Sequence, residues 1–353
     1  MTSLPRRTVS ALYAKLIHKY LENCSLDLND QQKLKKLFLN KSEDFGGQIA
    51  ISELEFLIQE TKCFFYDKPL GLEVGRHIHP SDFGIIGYAL MNCKTLHHAF
   101  LFAVKYKHQL NSSLAINLSS SGEIFRFQMM NLMNSSEIGT LIELDFIAAL
   151  QLSRYLVGSQ RYSEVKFIQV NFQHAPQGRR EFYRELFQCP VEFNQPTNEI
   201  LFSKAIISLP VRSYDAQMYK MCMRKIRRLQ NSKQFEDALH RQVFFYVSNH
   251  QESEPLNIQS ISAHFNMSPS TFKKRLKSEG YHFSQICDVV QKSRAMKLVA
   301  APAISLKEIG DSLGFSSPSA FNRAFKRWTD MTPAEYRRNK INMAVMKNTV
   351  NES

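Results

Sequence analysis

The sequence lacks the patterns that mark several large classes of protein. It has no run of about 18 apolar residues, so no segment is expected to cross a bilayer. It has no glycine-rich phosphate loop, no Gly-x-Ser-x-Gly elbow and no metalloprotease motif, which leaves an enzymatic function without support. Its first residues include two arginines but no apolar signal region, and we therefore expect a cytoplasmic protein.

Paired cysteines are also absent. The six cysteines are widely scattered, with no Cys-x-x-Cys pair, which argues against structural zinc and against a disulfide framework. His77-x-His79 and His97-His98 are joined by no carboxylate or cysteine cluster, so we interpret them as ordinary polar contacts and predict no metal, cofactor or catalytic residue. An enzyme fused to a DNA-binding domain, such as a DNA-repair alkyl transferase, would need an activated cysteine, and none of the six has a motif of that kind beside it.

The net charge is concentrated in the last two fifths of the chain. The whole sequence carries +13, but residues 1–210 hold 22 Lys and Arg against 20 Asp and Glu, whereas residues 211–353 hold 23 against 12. Such asymmetry is typical of a nucleic-acid-binding half joined to a half with another task. An anionic membrane would attract the same charge, but no lipidation motif or extended basic helix with a fully apolar face accompanies it. We expect no membrane partner.

The length is suited to two domains. A strand-like stretch ends at Pro210, a basic helical segment follows, and a polar break comes after residue 247. The predicted parts are an effector-sensing or dimerisation domain over 1–210, a basic helical linker over 211–234, a DNA-binding domain over 235–340 and a polar tail over 341–353.

Residues 258–280 have the pattern of a helix-turn-helix motif. Apolar residues at helical spacing are followed by turn formers, after which Ser268 and Pro269 supply an N-cap and a proline at the first helical position. This pair predicts a second helix with Phe272 and Leu276 on its buried face.

The same arrangement recurs about fifty residues later. Ser317 and Pro318 again begin a second helix, whose predicted buried stripe is Phe321, Ala324, Phe325 and Trp328. Between the motifs, the proline-free residues 284–299 predict one connecting helix of about 24 Å, at 1.5 Å per residue. Two recognition helices joined in this way can enter successive major grooves, about 34 Å apart.

The opposite faces of the two second helices carry polar and basic residues that can bind bases and phosphates. The predicted DNA-binding residues are Ser270, Lys273, Lys274 and Lys277 on the first helix, and Ser319, Asn322, Arg323 and Lys326 on the second. Either motif alone could be an ordinary solvated helix pair. Their recurrence within the basic half favours DNA binding.

These segments resemble the DNA-binding domain of the AraC/XylS family of bacterial transcription regulators. The resemblance is carried by residues 267–277, Gly280, and residues 309–310, 313–315, 320–328 and 332–337. It implies that base-reading positions are occupied by Ser270, Lys273 and Lys274 in the first recognition helix, and by Pro318, Ser319, Asn322 and Arg323 in the second.

Three residues depart from the family pattern. Gln291 stands where the connecting helix usually carries arginine, which puts the family's linker-helix contact in question. Gly310 replaces a small alanine, at a cost of up to about 1 kcal/mol of helix propensity. Asp330 replaces a glycine at a turn, and aspartate accepts a left-handed backbone better than most residues.

The N-terminal half resembles the arabinose-binding-type domain of one branch of that family, which includes ornithine-utilisation-type regulators. Residues 69–75, 83–90 and 95–100 carry the resemblance. Alternating apolar residues predict strands over 114–118, 124–129, 165–172, 191–193 and 200–202, and a helix over 136–157. Seven aromatic residues either line an apolar effector pocket or belong to the core, and effector-binding residues stay unassigned. They are Phe100, Phe102, Tyr106, Phe125, Phe127, Phe146 and Phe172.

The predicted fold is therefore two-domain, with an α+β N-terminal sensing or dimerisation domain and an all-α C-terminal domain of two helix-turn-helix motifs joined by a linker helix. The predicted function is sequence-specific DNA binding in transcription regulation. Promoter DNA is the expected partner, and RNA polymerase, a small-molecule effector and a second copy of the chain are candidate partners. The alternative is a factor that senses nothing and whose N-terminal domain only dimerises or docks on another protein.

Overall fold

The computed structural model describes residues 8–24, 30, 33, 38, 47–65, 68–110, 114–131, 137–231, 239–249 and 257–341. The chain divides into two compact units, residues 1–236 and 237–353. The first unit combines helices and sheets, and the described part of the second is helical, which confirms the predicted fold class. The predicted tail beyond residue 341 lies outside the described residues.

A mixed five-stranded sheet lies at the centre of the first unit. Two short strands, β1 (Thr8–Ser10) and β2 (Gln48–Ala50), form a separate antiparallel pair. The main sheet contains β3 (Leu114–Ser121), β4 (Ile124–Asn131), β5 (Gln169–Asn171), β6 (Val191–Glu192) and β7 (Asn198–Ser203). Their order is β3-β4-β7-β5-β6, with β5 and β6 parallel and the other neighbours antiparallel.

The strand predicted over 165–172 is shorter in the structure. Val165 and Phe167 are buried, but the strand ladder begins only at Gln169. The alternation of apolar residues therefore predicts the buried residues of this segment correctly, but only part of the segment pairs as a strand.

Helices precede, separate and follow these strands along the chain. Those of the first unit are α1 (Leu12–Glu22), α2 (Ile51–Lys62), α3 (Leu70–Gly75), α4 (Ile85–Met91), α5 (Leu96–Leu110), α6 (Ile138–Val157), α7 (Arg180–Phe187), α8 (Lys204–Ile207) and α9 (Ala216–Asn231). Helix α6 is apolar on two sides. Phe146 and Leu150 join the aromatic core beside the sheet, whereas Leu141 and Leu144 join a second cluster that α1 and α2 also supply. A helix that is apolar nearly all round is a buried helix, and α6 connects the two cores.

The segment before the second unit is helical and packs on the first unit. Cys222 and Ile226 of α9 are buried in the core beside the sheet, and the Tyr219 hydroxyl lies 3.1 Å from His98 Nε2. The strand-like stretch before Pro210 is instead the short helix α8, and Pro210 makes a single bridge with Thr95. The segment that the sequence suggests as a linker thus contributes to the first core.

The described part of the second unit contains seven helical segments. They are α10 (Leu239–Asn249), α11 (Ile258–His264), α12 (Pro269–Ser278), α13 (Phe283–Ala300), α14 (Leu306–Ser312), α15 (Pro318–Thr329) and a last helical segment that includes residues 333–341. Over the described part of the chain, no helix is both long enough and apolar enough to span a bilayer.

A buried carboxyl group lies on α6 in the first unit. Glu143 accepts a hydrogen bond from the Tyr183 hydroxyl, and His174 Nε2 lies 3.8 Å from Glu143 Oε1. Burial raises the pKa of Glu143 to about 8, although the hydrogen bond from Tyr183 and the charge of Lys62 act in the opposite direction. The folded unit therefore holds a proton that the unfolded chain, with a glutamate pKa of about 4.3, releases.

We predict that the first unit loses stability as pH rises toward 8, because between about 4.3 and 8 the folded state binds more protons than the unfolded state. Glu143→Gln keeps the side chain neutral and should flatten the fall of the melting temperature between about pH 7 and 8.5, measured by calorimetry.

The matched control for this experiment is Glu185→Gln, on the exposed face of α7. Burial lowers the pKa of His174, so this histidine affects the pH dependence of stability only below about pH 6.5. Measurements between about pH 7 and 8.5 therefore exclude its contribution. If the melting temperature of Glu143→Gln falls with pH as steeply as that of the unmodified protein, the raised pKa of Glu143 is contradicted.

Candidate nucleic-acid interface

The first recognition helix is α12, and its start is fixed by a capping serine. The Ser268 side chain accepts a hydrogen bond from the Thr271 amide at 3.2 Å, and Pro269 takes the first helical position. Phe272 and Leu276 are almost completely buried on the inner face. The chain leaves the helix through Gly280, whose φ of +85° lies in the left-handed region that glycine adopts without strain.

The end of α12 is tied to the start of α10. The Glu279 carboxylate accepts hydrogen bonds from the Leu239 and His240 amides, both at 2.9 Å, and lies 2.8 Å from His240 Nδ1. Burial acts against ionisation, but the hydrogen bonds from His240 and the backbone hold the pKa of Glu279 below its usual value. His240 also stacks on Tyr281. A carboxylate at a helix N-terminus is a favourable cap, and it holds α12 against the preceding helix.

The second recognition helix is α15, which begins in the same way. Ser317 accepts a hydrogen bond from the Ala320 amide at 3.2 Å, and Pro318 follows. The predicted stripe lies inward, with Phe321, Ala324 and Phe325 buried and Trp328 half-buried. Asp330 ends the helix with a φ of +59°, the left-handed conformation expected there.

All eight predicted DNA-binding side chains are exposed. The first set, Ser270, Lys273, Lys274 and Lys277, lines an open groove of about 620 Å³ along α12. The second set is Ser319, Asn322, Arg323 and Lys326, on the outer face of α15. Each recognition helix therefore presents a polar, mainly basic strip to solvent on the side opposite its buried stripe.

Helix α13 joins the two motifs. In its first half Ile286 and Val290 are buried, and the Phe283 ring contacts that of Phe272 in α12. In its second half Ala295 and Val299 are part of the core that α14 and α15 supply. The predicted single connecting helix is present, with 18 residues.

Polar contacts add to this packing. Asp288 of α13 accepts hydrogen bonds from Arg327 Nη2 at 3.1 Å and from Trp328 Nε1 at 3.3 Å, both on α15. Arg337 donates to the carbonyl oxygens of Val299 and Ile304 and so caps the end of α13. Sequence patterns did not indicate Asp288 or Glu279, because neither belongs to an apolar stripe or a basic face.

Gln291, which stands where the family usually has arginine, is half-buried on α13. One turn further on, Arg294 donates to the carbonyl oxygens of Val247 and Ser248 at 3.4 and 3.1 Å. The linker helix thus has an arginine that makes an internal contact, at a different position.

The first unit contains a separate candidate site, an apolar cavity of about 110 Å³ between α4, α5, α6 and the β3–β4 edge of the sheet. Of the seven aromatic residues named above, Phe100, Tyr106 and Phe127 line it, and the other four pack elsewhere in the core. The histidines make ordinary contacts, since His79 caps a short helical turn through Ser81 and His98 meets Tyr219.

Comparison with known proteins agrees with this division. Residues 43–211 match the family described as the arabinose-binding domain of AraC transcription regulator, N-terminal, and residues 261–339 match a helix-turn-helix domain family. The chain is 23% identical to the ornithine utilization regulator of Pseudomonas aeruginosa, over 83% of this chain and 85% of that one. It is 26% identical to the helix-turn-helix-type transcriptional regulator VirS of Mycobacterium tuberculosis, over 55% of this chain and 56% of that one.

A solved structure of the transcriptional regulator CdpR from Pseudomonas aeruginosa aligns with 90% of this chain and 99% of its own, at 18% identity and a TM-score of 0.41.

The fold, the paired motifs and these relatives define a DNA-binding transcription regulator with a ligand-binding type of domain before its helix-turn-helix region. The chain belongs to the AraC family of such regulators, which are not enzymes. The thiols agree with this, since burial raises the pKa of Cys93, Cys189 and Cys287 to about 12, far from the activated thiolate that an alkyl transferase requires.

Gly310 on α14 offers a direct test of the packing beneath the second recognition helix. A Cβ atom at this position would lie 3.4 Å from Phe321 Cβ, an ordinary van der Waals distance. Gly310→Ala should therefore stabilise the second unit by up to about 1 kcal/mol, because alanine restricts the unfolded chain and favours the helix. Denaturant unfolding followed by fluorescence of Trp328, the single tryptophan, measures this unit directly.

Gly314 is the matched control. Its φ is +77°, a conformation that an L side chain rarely adopts, so Gly314→Ala should destabilise the same unit. Destabilisation by Gly310→Ala would show that Phe321 leaves no room for a methyl group.

Proposed function

We propose that one chain reads two successive major-groove segments of promoter DNA, with α12 in one and α15 in the next. The observation that carries this proposal is the joining of two capped helices, each with an exposed basic strip, by the single packed helix α13. At about 1.5 Å per residue α13 is roughly 27 Å long, close to one turn of the double helix when the widths of the motifs are added.

Each of the two strips is proposed to make two kinds of contact, one to base edges and one to the phosphate backbone. Arg323 can bind a guanine edge through two hydrogen bonds, and Asn322 can bind an adenine in the same way. Lys273 and Lys274 can also bind a guanine edge, whereas Lys277 and Lys326 are proposed to attract the phosphate backbone irrespective of sequence. On this basis Ser270, Lys273, Lys274, Ser319, Asn322 and Arg323 contribute to sequence discrimination, and Lys277 and Lys326 to affinity.

We propose further that the first unit controls DNA binding in response to a small-molecule effector, which the apolar cavity supports. We propose that a protein that binds promoter DNA in this way acts in the bacterial cytoplasm. RNA polymerase and a second copy of the chain are the further partners that we propose for a regulator of this family.

The primary test is an electrophoretic shift titration of the full chain with a random DNA pool in the presence of competitor DNA. Selection should enrich a bipartite site. An equal affinity for all sequences would contradict the proposal, because phosphate contacts alone cannot discriminate between bases.

Single substitutions should separate the two kinds of contact. Arg323→Ala should cost about 1 to 3 kcal/mol at one base position and relax the preference there. Lys326→Ala should weaken all sequences alike and reduce the slope of log affinity against log salt by about one unit.

The control is Lys166→Ala, an exposed lysine of the first unit. It should change neither the preference nor the salt slope. A uniform loss from Arg323→Ala, with the base preferences intact, would remove Arg323 from base reading.

A further inference from the structure

Helix α9 of the first unit has one buried face and one basic face. Cys222 and Ile226 are buried in the core beside the sheet. Lys220, Arg224 and Arg228 follow one another at intervals of four residues on the opposite face, and all three are exposed. We call these three residues the α9 strip. Because the other face of the helix is packed, the α9 strip is held on the folded first unit and does not belong to a free linker.

The α9 strip has no anion of its own. Residues 216–231 contain five Lys and Arg and no Asp or Glu. Asp215, directly before the helix, is engaged as a cap, since its Oδ1 accepts hydrogen bonds from the Gln217 and Met218 amides at 2.7 and 2.9 Å. Within the part of the chain that the structure describes, none of the three strip residues makes an ion pair. Their positive charge is therefore available to a partner outside the chain.

An ordinary solvated helix distributes its charges differently. On α7, Glu181 lies three residues before Arg184, so that opposite charges face each other along the helix. On α9, Lys220 neighbours Arg224 and Arg224 neighbours Arg228 at a spacing of four residues, and like charges at this spacing destabilise a helix. An anionic partner would remove this repulsion. The arrangement thus indicates a binding surface rather than a solvated face.

The dimensions of the α9 strip suit a phosphate backbone. At about 1.5 Å per residue, the distance along the helix from Lys220 to Arg228 is about 12 Å. Each strand of B-DNA carries one phosphate per about 3.4 Å of its axis, so the strip is as long as roughly three or four successive phosphates. Lysine and arginine bind phosphate oxygens at any base sequence. The strip therefore matches one strand of a duplex in both length and charge.

DNA is also the anion that the charge distribution of the chain favours. Residues 1–210 are almost neutral, with 22 Lys and Arg against 20 Asp and Glu, whereas five of the 23 Lys and Arg of the basic half lie on α9. The positive charge typical of a nucleic-acid-binding protein is therefore not confined to the helix-turn-helix unit, because it extends to this one helix of the first unit.

We propose that the α9 strip is a further DNA-binding surface, whose three side chains contact phosphates of the same duplex that α12 and α15 read. This inference rests on the proposed function of the second unit. The strip adds affinity and no base discrimination, because a phosphate contact is the same at every base pair. It also ties the first unit to DNA, so that the affinity of the full chain depends on both units.

The salt dependence of DNA binding by the full chain tests this surface. The probes are a duplex selected by the chain and a random duplex of equal length, and affinity is measured by fluorescence anisotropy over a range of salt concentrations. Each phosphate contact contributes about 0.9 to the slope of log affinity against log salt. The triple variant Lys220→Ala, Arg224→Ala and Arg228→Ala should therefore lower this slope by about two to three units on both duplexes, with the ratio of the two affinities unchanged.

Two further variants separate direct contact from overall charge. Lys166→Ala, Arg179→Ala and Arg184→Ala together remove the same charge from exposed positions of the first unit outside α9, and the slope should stay as in the unmodified chain. Lys220→Arg, Arg224→Lys and Arg228→Lys together keep the charge of the strip and should keep the slope. The melting temperature of each variant checks its folding, and glutamine replaces alanine in the strip if the alanine variant is unstable.

An unchanged slope in the alanine variant of the strip would overturn the inference and would leave an acidic protein as the partner of this face. An equal fall in the variant of residues 166, 179 and 184 would also overturn it, because the slope would then follow net charge alone. The two proposals fail in different ways. If selection enriches no duplex, the proposed function is contradicted, whereas an unchanged slope with intact base preferences contradicts this inference alone.

Discussion

Helix α13 packs into the buried interiors of both helix-turn-helix motifs. The geometry of the DNA-binding unit depends on this shared packing. Val290 belongs to its first half and Val299 to its second, and each lies in the buried interior of a different motif. A rotation of α13 would expose apolar surface in both, at about 25 cal/mol per Å². Contacts from Asp288 to α15 and from Glu279 to α10 add directional constraints that apolar packing alone does not supply. The two recognition helices are therefore held in one arrangement before they meet DNA.

The first unit follows a different principle. Its long helix α6 lies between two apolar clusters, and the same helix carries Glu143 and Asp145, two carboxyl groups in buried surroundings. Buried carboxyl groups are costly for stability unless they are neutralised or hydrogen-bonded, and such groups are frequent at functional sites. Asp145 lines the cavity, whereas Glu143 interacts with Tyr183. This helix thus combines the structural core of the unit with its candidate ligand site.

Much of the DNA-binding unit was predictable from sequence because its signals are local. A serine followed by proline begins each recognition helix, and apolar residues three and four apart mark its buried face, so Phe272 and Phe325 could be assigned inward with no structure. Contacts between distant residues have no such signature. Glu279 meets His240 across 39 residues, and Arg337 reaches Val299 across 38, so neither could be inferred from spacing. The packing of α9 on the first unit was missed for the same reason, since its basic residues dominate the pattern and the buried Ile226 does not stand out.

The cavity illustrates a further limit. The sequence shows which aromatic residues the first unit contains, but not which of them line a pocket. A pocket forms where helices and strands that are distant in sequence leave space between them, and no local pattern indicates that position. Phe100 and Phe127 line the cavity, and Phe146 and Phe172 do not, although all four belong to one apolar cluster.

The packing of α13 implies that one chain reads two adjacent grooves through a rigid pair of helices. A selected bipartite site should be compared with the same site lengthened by about 5 base pairs between its halves, which turns the second half to the opposite face of the duplex. The affinity of the full chain for the lengthened site should fall to that of a single half-site. Equal affinity for the two spacings would contradict it.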